Sequence, residues 1–302
     1  MGIIGSFGDA AGNPVVNRAT CTACGECATI CPVGVLSRSD GEIRIDLSKG
    51  FGCIACGQCM MVCPSDSIAV TGRKLAPGDV IDLPVPGRRA TFDQVEALMF
   101  SRRSVRRFRR EAVPREAIDR VIASAATAPM GIPPWEVGVT VFHDRDKVRE
   151  LAWDTAAAYE RLLKFFESPV GALFRRTMKK PARQQFQTFI LPLGRILVEG
   201  KKKGSDYVLY DAPAALLFHT SPYGDGADAF IACTYAMVAA EAMGLGTCMI
   251  GCVAPVLERR KDLMRKHGLP VGHIPKIVLI LGYPAVHFRK AIHRPFLSVE
   301  YR

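Results

Sequence analysis

Two groups of four cysteines lie near the start of this 302-residue chain, between Cys21 and Cys63. The groups share the pattern CxxCxxCxxxCP and are Cys21, Cys24, Cys27, Cys31 and Cys53, Cys56, Cys59, Cys63. The repetition of this pattern indicates one structural unit used twice. Three closely spaced cysteines can wrap one cubic iron–sulfur cluster, while a fourth, just before a proline, reaches the other cluster.

This spacing predicts two [4Fe–4S] clusters with crossed ligands. Cys21, Cys24, Cys27 and Cys63 are expected to hold one cluster, and Cys53, Cys56, Cys59 and Cys31 the other. Gly25 and Gly57 lie where each loop must bend tightly. The alternative is a pair of zinc sites, but zinc would use two CxxC pairs for each ion and would give no role to the third cysteine or to the cysteine–proline ending.

A second concentration of chemistry is the arginine-rich segment 101–110, which contains six arginines and no acidic residue. It supplies more than half of the net charge of +11. Arginine gives forked, permanently charged donors and Ser104 adds a hydroxyl, which suits a phosphate monoester. A solvated basic face is the simplest alternative. A nucleic-acid surface is not expected, because no aromatic platform or base-reading module surrounds the segment.

Residues 92–302 resemble the FMN-dependent nitroreductase family. The resemblance rests first on Arg102, Ser104, Arg106 and Phe108, which follow the family pattern Arg-x-Ser-x-Arg/Lys-x-Phe. It rests also on the apolar helix and glycine-rich loop of residues 240–251, and on Leu281-Gly-Tyr-Pro284 followed by basic residues up to Arg294-Pro295. Residues 15–72 resemble bacterial-type dicluster ferredoxins.

The nitroreductase resemblance implies an α+β fold that forms a homodimer, with FMN at the subunit interface and chemistry at flavin N5. No catalytic side chain is assigned. The residues implied in FMN binding are Arg102, Arg103, Ser104, Arg106, Met249, Ile250, Gly251, Cys252, Lys290 and Arg294, with Arg289 as an alternative to Lys290. Positive charge near the flavin N1 and O2 edge would stabilise the anionic reduced form.

One departure from the family pattern lies just before Trp135. The family commonly has an Asn and a Gln ahead of Pro-Trp, where a side-chain amide contacts the flavin edge. This chain has Ala-Pro-Met-Gly-Ile-Pro-Pro at residues 128–134 instead. Main-chain groups of Met130, Gly131 and Ile132 are therefore expected to replace that contact, and substrate choice can differ as a result.

The elements that must position these residues divide the chain into a ferredoxin-type domain at 1–76, a linker at 77–90 and an FMN domain at 91–302. The linker is rich in proline and glycine, as an extended connector would be. Periodicity predicts helices at 91–100, 114–126, 228–243 and 255–266, and strands at 42–46, 137–142, 214–219 and 277–281. Residues 145–205 contain Pro169, Pro181 and Pro192 and are expected to form several short helices, which make this segment a candidate cap.

Composition sets outer limits on these expectations. Hydrophobic residues make up 49% and charged residues 23%, which are ordinary globular values. No apolar run is long enough to cross a bilayer, and the first residues do not resemble a secretory signal. We therefore expect a cytoplasmic protein with no membrane partner.

Together these patterns predict an iron–sulfur flavoprotein oxidoreductase. Electrons from reduced ferredoxin or another low-potential donor would pass through the two clusters to FMN, which would reduce a small organic acceptor by hydride transfer. Nitroaromatics, activated alkenes and quinones are the expected acceptor classes. Two alternatives stay open: a flavoprotein that relays electrons to a partner protein, and a flavin-dependent dehalogenase or flavin-modifying enzyme of the same fold.

Overall fold

The computed structural model describes residues 11–131 and 135–302, which form two compact units. The described residues of the smaller unit are 11–90, 129–131, 135–137 and 221–228. The larger unit contains residues 91–128, 138–220 and 229–302. The sequence places the domain boundary at the connector 77–90, whereas the contacts place two short segments from farther along the chain with the smaller unit.

The described residues of the smaller unit form two pairs of antiparallel strands and two short α-helices. Its elements are β1 (Asn13–Val16), α1 (Glu26–Ile30), β2 (Leu36–Ser39), β3 (Glu42–Ile45), α2 (Gln58–Met61) and β4 (Ile68–Thr71). The turn between β2 and β3 is Asp40-Gly41, whose φ angles of 53° and 76° are those of a tight hairpin turn. The predicted hairpin is confirmed, and the pairing of β1 with β4 adds a second strand pair.

The larger unit surrounds one four-stranded sheet with helices, and with the smaller unit it confirms the α+β fold class. Its helices are α3 (Phe92–Ser101), α4 (Arg115–Ala125), α5 (Arg145–Glu167), α6 (Pro169–Thr177), α7 (Lys180–Gln185), α8 (Leu191–Lys202), α9 (Gly226–Ala242), α10 (Ala254–Arg259) and α11 (Lys261–Lys266). Its strands are β5 (Val137–Phe142), β6 (Ala214–Thr220), β7 (Gly246–Ile250) and β8 (Ile274–Gly282).

The strand order of the sheet is β5-β6-β8-β7, and β8 pairs antiparallel with both β6 and β7. All seven residues of β6 are buried, which explains why its first five residues form an uninterrupted apolar run rather than an alternating one. The register of β6 against β8 shifts between Phe218 and His219. Because β7 ends at Ile250, the sheet delivers residues 249–252 to one strand end.

Two helix predictions need correction. Residues 145–167 form a single helix of 23 residues instead of several short ones, because no proline interrupts them. Pro192 does not end a helix, since it lies in the first turn of α8, where its missing amide costs little, and a π-helical turn at Phe186–Ile190 precedes it. The predicted helix 255–266 is two helices that separate at Arg260, whose φ of −120° and ψ of 81° are not helical.

The core of the larger unit joins the sheet to the long helix α5. Leu217 of β6 and Val278 and Ile280 of β8 are fully buried there, together with Leu151 of α5. Replacing Leu217 by Ala is expected to lower the free energy of unfolding by about 2 to 5 kcal/mol, because it removes buried methyl groups and leaves a cavity.

Urea unfolding followed by circular dichroism measures this loss. Val271→Ala is the matched control, since Val271 is 94% exposed and its substitution should change the free energy by less than about 0.5 kcal/mol. Equal stability of the Leu217→Ala variant and the parent would contradict the assignment of Leu217 to the core.

The described residues contain no helix that is long and apolar enough to span a membrane.

Candidate functional site

Four cysteines from both halves of the repeat surround one cavity in the smaller unit. This first cysteine cavity is lined by Cys21, Cys24 and Cys27 of the first group and by Cys63, the last cysteine of the second group. Apolar side chains of Val16, Ile43 and Ile68 complete the wall. The structure thus brings together the four residues that the spacing assigns to one cluster.

The remaining four cysteines surround the second cysteine cavity. Cys53, Cys56 and Cys59 line it together with Cys31, the last cysteine of the first group. Each cavity therefore takes three cysteines from one copy of the repeat and one from the other. Such a donor set fits a cubic cluster with four thiolate ligands, and it matches the crossed arrangement expected from the sequence.

The loops that carry the cysteines bend in the same way in both copies. Gly25 and Gly57 have φ angles of 89° and 75° and directly precede α1 and α2, so each loop turns into a helix at a position that favours glycine. Backbone amides point at sulfur: Ser67 N donates to Cys63 Sγ at 3.2 Å and Ala55 N donates to Cys53 Sγ at 3.5 Å. Such amide donors stabilise thiolate ligands and tune cluster potentials.

The thiols show the electrostatic cost of gathering four cysteines. Burial raises the pKa of Cys59 to about 12, and the neighbouring Cys56, Cys53 and Cys31 contribute to this rise. For Cys63, burial opposes ionisation, but hydrogen bonds from Ser65 and Ser67 outweigh it and the pKa lies below its usual value. A bound metal cluster would supply the positive charge that stabilises all four thiolates.

Metal and sulfide analysis tests this interpretation of the two cavities. Anaerobically purified protein is expected to contain about eight irons and eight acid-labile sulfides per chain, because each four-cysteine set matches one cubic cluster. Zinc as the dominant metal in the same preparation would contradict the cluster assignment.

In the larger unit, the arginine-rich segment runs in extended form beside two strands of the sheet. Ser104 forms a short parallel bridge with Thr247 of β7, and Val105 N donates to Thr247 O at 2.8 Å. Farther along, Arg109 N donates to Tyr283 O at 2.9 Å, just after β8 ends. These bonds fix the segment beside the start of β7 and the end of β8, the sheet edge from which the C-terminal segment continues.

Because the segment is extended, alternate side chains leave it on opposite sides. Arg103 and Val105 line a cavity of about 690 Å³ in the larger unit. The residues after β8 form another wall of this cavity and contribute Arg289 and Lys290. One side of the segment therefore faces a cationic cavity that suits an anion.

Arg102, Ser104 and Arg106 do not line this cavity. The Arg102 guanidinium lies 3.9 Å from Met237 Sδ of α9, and the Arg106 guanidinium lies 5.7 Å from the ring centroid of Tyr210. Burial raises the pKa of Tyr210, and Arg106, which lies close enough to act on the ring hydroxyl, opposes this rise. The structure thus divides the predicted arginine set between two faces.

The predicted flavin loop follows β7. Its Cys252 packs against the same hydrophobic core as Tyr210, the residue beside Arg106. Met249 is partly exposed, Ile250 is buried and Gly251 is exposed, which leaves main-chain groups of Gly251 accessible. Burial raises the pKa of Cys252 to about 11, so its thiol is neutral at physiological pH.

Two observations test whether these residues fit a flavin. Thr247 Oγ1 is buried in β7, and within residues 11–131 and 135–302 it has no hydrogen-bond partner. A ligand hydroxyl or ring nitrogen beside β7 would satisfy it. The exposed Arg106 and Ser104 lie in the same segment and offer charged and hydroxyl donors. These side chains fit an FMN, because its phosphate, ribityl hydroxyls and ring carbonyls accept hydrogen bonds from such donors.

The other residues predicted to contact FMN lie in two further parts of the chain. Gly131 N donates to both carboxylate oxygens of Asp228, at 3.0 and 3.1 Å, and Met130 is partly buried beside it. Ile132 lies outside the described residues. Arg294 is exposed in the C-terminal segment and does not line the cavity of Arg103.

Sequence reasoning missed Tyr210. Asp206, slightly earlier in the chain, accepts hydrogen bonds from Val208 N and Leu209 N, and this carboxylate-centred turn holds the following residues in place. Tyr210 itself has a φ of 58°, which is unusual for a residue other than glycine. The only local sequence signal for Tyr210 is an Asp followed by an aromatic residue. This signal does not indicate the contact with Arg106, which lies about a hundred residues earlier in the chain.

Comparison with known families decides the classification. The profile of the nitroreductase family matches residues 99–283, which is more than half of the chain. The chain belongs to the nitroreductase family. A second profile, for a 4Fe-4S dicluster domain, matches residues 20–68 and contains all eight cysteines of the two cavities. This nitroreductase-family protein is therefore an oxidoreductase with a ferredoxin-type iron–sulfur domain.

Several solved structures that are similar to this chain are nitroreductases. One with bound FMN from Bacteroides fragilis is 19% identical, with 69% of this chain and 99% of that chain covered and a TM-score of 0.49. Another with bound FMN, from Desulfitobacterium hafniense, is 17% identical over 69% of this chain and 97% of that chain, with a TM-score of 0.49. An FMN-dependent nitroreductase from Clostridium difficile is 18% identical over 70% of this chain and 100% of that chain, also with a TM-score of 0.49. No curated protein matches the chain significantly.

Proposed function

We propose that this nitroreductase-family protein takes single electrons from a low-potential protein donor, passes them through two [4Fe–4S] clusters to FMN, and reduces a small organic acceptor. The observation that carries the proposal is the presence, on one chain, of two four-cysteine cavities and an arginine-lined candidate flavin site. The proposed acceptors are nitroaromatics, activated alkenes and quinones, all of which can accept a hydride.

The combination of cofactors explains why one chain would contain both units. When bound, each cluster supplies one electron at a time and FMN supplies two-electron hydride chemistry. Each hydride given to the acceptor therefore consumes two electrons from the protein donor and one proton from solvent. The chain thus couples a one-electron supply to two-electron reduction of a small molecule.

The arginine-rich segment is assigned to flavin binding. Arg102, Ser104 and Arg106 would hold the phosphate, the ribityl chain and the pyrimidine edge of a bound FMN, and the main chain of residues 249–252 would lie along its ring. Positive charge from Arg106 at the pyrimidine edge favours the anionic reduced form over the neutral oxidised one. This shifts the flavin equilibrium toward storage of two electrons.

A homodimer is the proposed functional state. Large apolar side chains are exposed on α3, on α9 and in the C-terminal segment, including Phe92, Tyr235 and Phe296. Exposed apolar residues of this number typically mark an interface.

Flavin content and oligomeric state test this arrangement together. The purified protein is expected to sediment as a dimer with about one FMN per chain, because a flavin held by both subunits requires their association. A monomer that retains full flavin would contradict the proposed site.

An anaerobic acceptor screen tests the reaction itself. Reduced ferredoxin is the donor, and the consumption of each candidate acceptor is compared with the electrons supplied. Two electrons per molecule of acceptor reduced support the enzyme. If the flavin is reduced, no small-molecule product forms and electrons pass to a second protein, the chain is an electron-transfer flavoprotein and not an enzyme that reduces a small molecule.

A further inference from the structure

The two cysteine loops have almost the same sequence but different surroundings. In the first loop, Thr22 and Cys24 are exposed and Ala23 is partly exposed. At the matching positions of the second loop, Ile54 is 5% exposed and Ala55 is fully buried. The second loop has Ile54 where the first has Thr22, because an apolar side chain is favoured where the loop is covered.

Trp135 is one of the residues that cover the second loop. Its ring packs against the hydrophobic core of the smaller unit, and its indole Nε1 donates to Ala55 O at 3.0 Å. Ala55 has a φ of 54°, and its own amide donates to Cys53 Sγ. One residue of the loop is thus bonded to the tryptophan on one side and to a cluster ligand on the other.

The residues next to Trp135 are anchored in the same unit. Glu136 forms an ion pair with Arg73, whose side chain is only 4% exposed. Glu136 O accepts a hydrogen bond from Ser221 N at 2.9 Å. Directly after these anchored residues, β5 begins at Val137. β5 belongs to the sheet that carries the candidate flavin site.

We propose that electrons leave the ferredoxin-type domain through the cluster of the second cysteine cavity, and that Trp135 is the positioning residue that holds the Cys53–Cys56 loop for this transfer. The first cluster, whose ligand Cys24 is exposed, receives electrons from the external donor. Each transfer oxidises the second cluster by one electron and reduces the flavin by one electron. This inference rests on the proposed function, because it assigns an order to the two clusters on that route.

The order follows from chain connectivity and hydrogen bonding. The loop of the second cluster is hydrogen-bonded through Ala55 O to the chain segment that continues into β5. Hydrogen bonds and solvent exposure around the ligands also set the potential of each cluster. Loss of the indole donor should therefore alter the second cluster and leave the first one unchanged.

The first test compares Trp135→Phe with Trp153→Phe by redox titration monitored by electron paramagnetic resonance. Phenylalanine keeps an aromatic ring at position 135 but removes the N–H donor. Trp153→Phe changes the other tryptophan of the chain, which lies on α5 in the larger unit. The expected result is a shifted midpoint potential for one cluster only in Trp135→Phe, and unshifted potentials in Trp153→Phe. Two unshifted potentials in Trp135→Phe would overturn the role of Trp135.

The second test identifies the cluster that delivers electrons and does not depend on the Trp135 variant. Cys24→Ala removes a ligand of the first cluster, and Cys56→Ala removes a ligand of the second. After a flash-generated one-electron reductant reduces the remaining cluster, flavin absorbance is followed. A fast phase of flavin reduction that coincides with reoxidation of the remaining cluster is expected in Cys24→Ala. In Cys56→Ala this phase is lost and only direct reduction of the flavin by the reductant remains. The reverse pattern would overturn the proposed order, whereas absence of cluster-to-flavin transfer in the parent would instead overturn the proposed function.

Discussion

A Cys56→Ala variant is expected to lose turnover with a protein electron donor while retaining turnover with dithionite. Cys56 lines the second cysteine cavity with Cys53, Cys59 and Cys31, so its removal leaves a cubic cluster with three protein ligands. The proposed FMN site lies in the larger unit and uses none of these residues. Dithionite, a small reductant, can reach the flavin directly and bypass the clusters.

The measurement is the rate of acceptor reduction with each donor under anaerobic conditions, alongside the flavin content of the variant. Cys233→Ala is the matched control, because Cys233 is a buried cysteine outside both cysteine cavities. It should retain turnover with both donors. Equal turnover of Cys56→Ala and the parent with the protein donor would mean that electrons reach FMN without the second cluster. If Cys24→Ala also retains this turnover, neither cluster is needed, and a nicotinamide-driven nitroreductase becomes the better interpretation.

Much of the ferredoxin-type domain could be predicted because its determinants are local. The regular spacing of the first three cysteines in each group fixes the loop geometry, and the proline after the fourth cysteine turns the chain away. Asp40-Gly41 likewise specifies a hairpin by its own backbone preferences. The structure places these residues as the local rules require.

The contacts of Trp135 could not be predicted in the same way. The family pattern around Pro-Trp concerns the flavin domain, and nothing in residues 128–135 indicates a partner as far away in the chain as Ala55. The signal lies in the other copy of the repeat, where Thr22 stands at the position of Ile54. That difference is a single residue, and it becomes informative only when burial is known.

The sequence predicts that the arginines of segment 101–110 cluster, but it does not predict the direction in which each side chain points. Sequence spacing groups Arg102, Arg103 and Arg106, whereas the extended backbone separates Arg103 from the other two. The direction of each side chain depends on the pairing of Ser104 with Thr247, which joins two positions in different halves of the chain. Long-range pairing of this kind has no local sequence signal.

Replacing Arg106 by Ala is expected to weaken FMN binding about ten- to a hundredfold while both clusters stay intact. A charge-assisted contact from a guanidinium to the phosphate or to the flavin edge contributes roughly 1.5 to 3 kcal/mol, and each step of about 1.4 kcal/mol is a factor of ten. The Arg106 guanidinium lies over the ring of Tyr210 in the larger unit. Its removal changes the binding site without disturbing the smaller unit.

Flavin fluorescence titration of the apoprotein measures this affinity, and iron analysis checks the clusters. Arg110→Ala is the matched control because Arg110 is exposed in the same segment, carries the same charge and does not line the cavity of Arg103. If loss of affinity came only from reducing the net positive charge, both variants would weaken FMN binding equally. A selective loss in Arg106→Ala assigns the contact to that guanidinium. Unchanged affinity in both variants would mean that the arginine-rich segment is a solvated surface and that FMN is held by other residues.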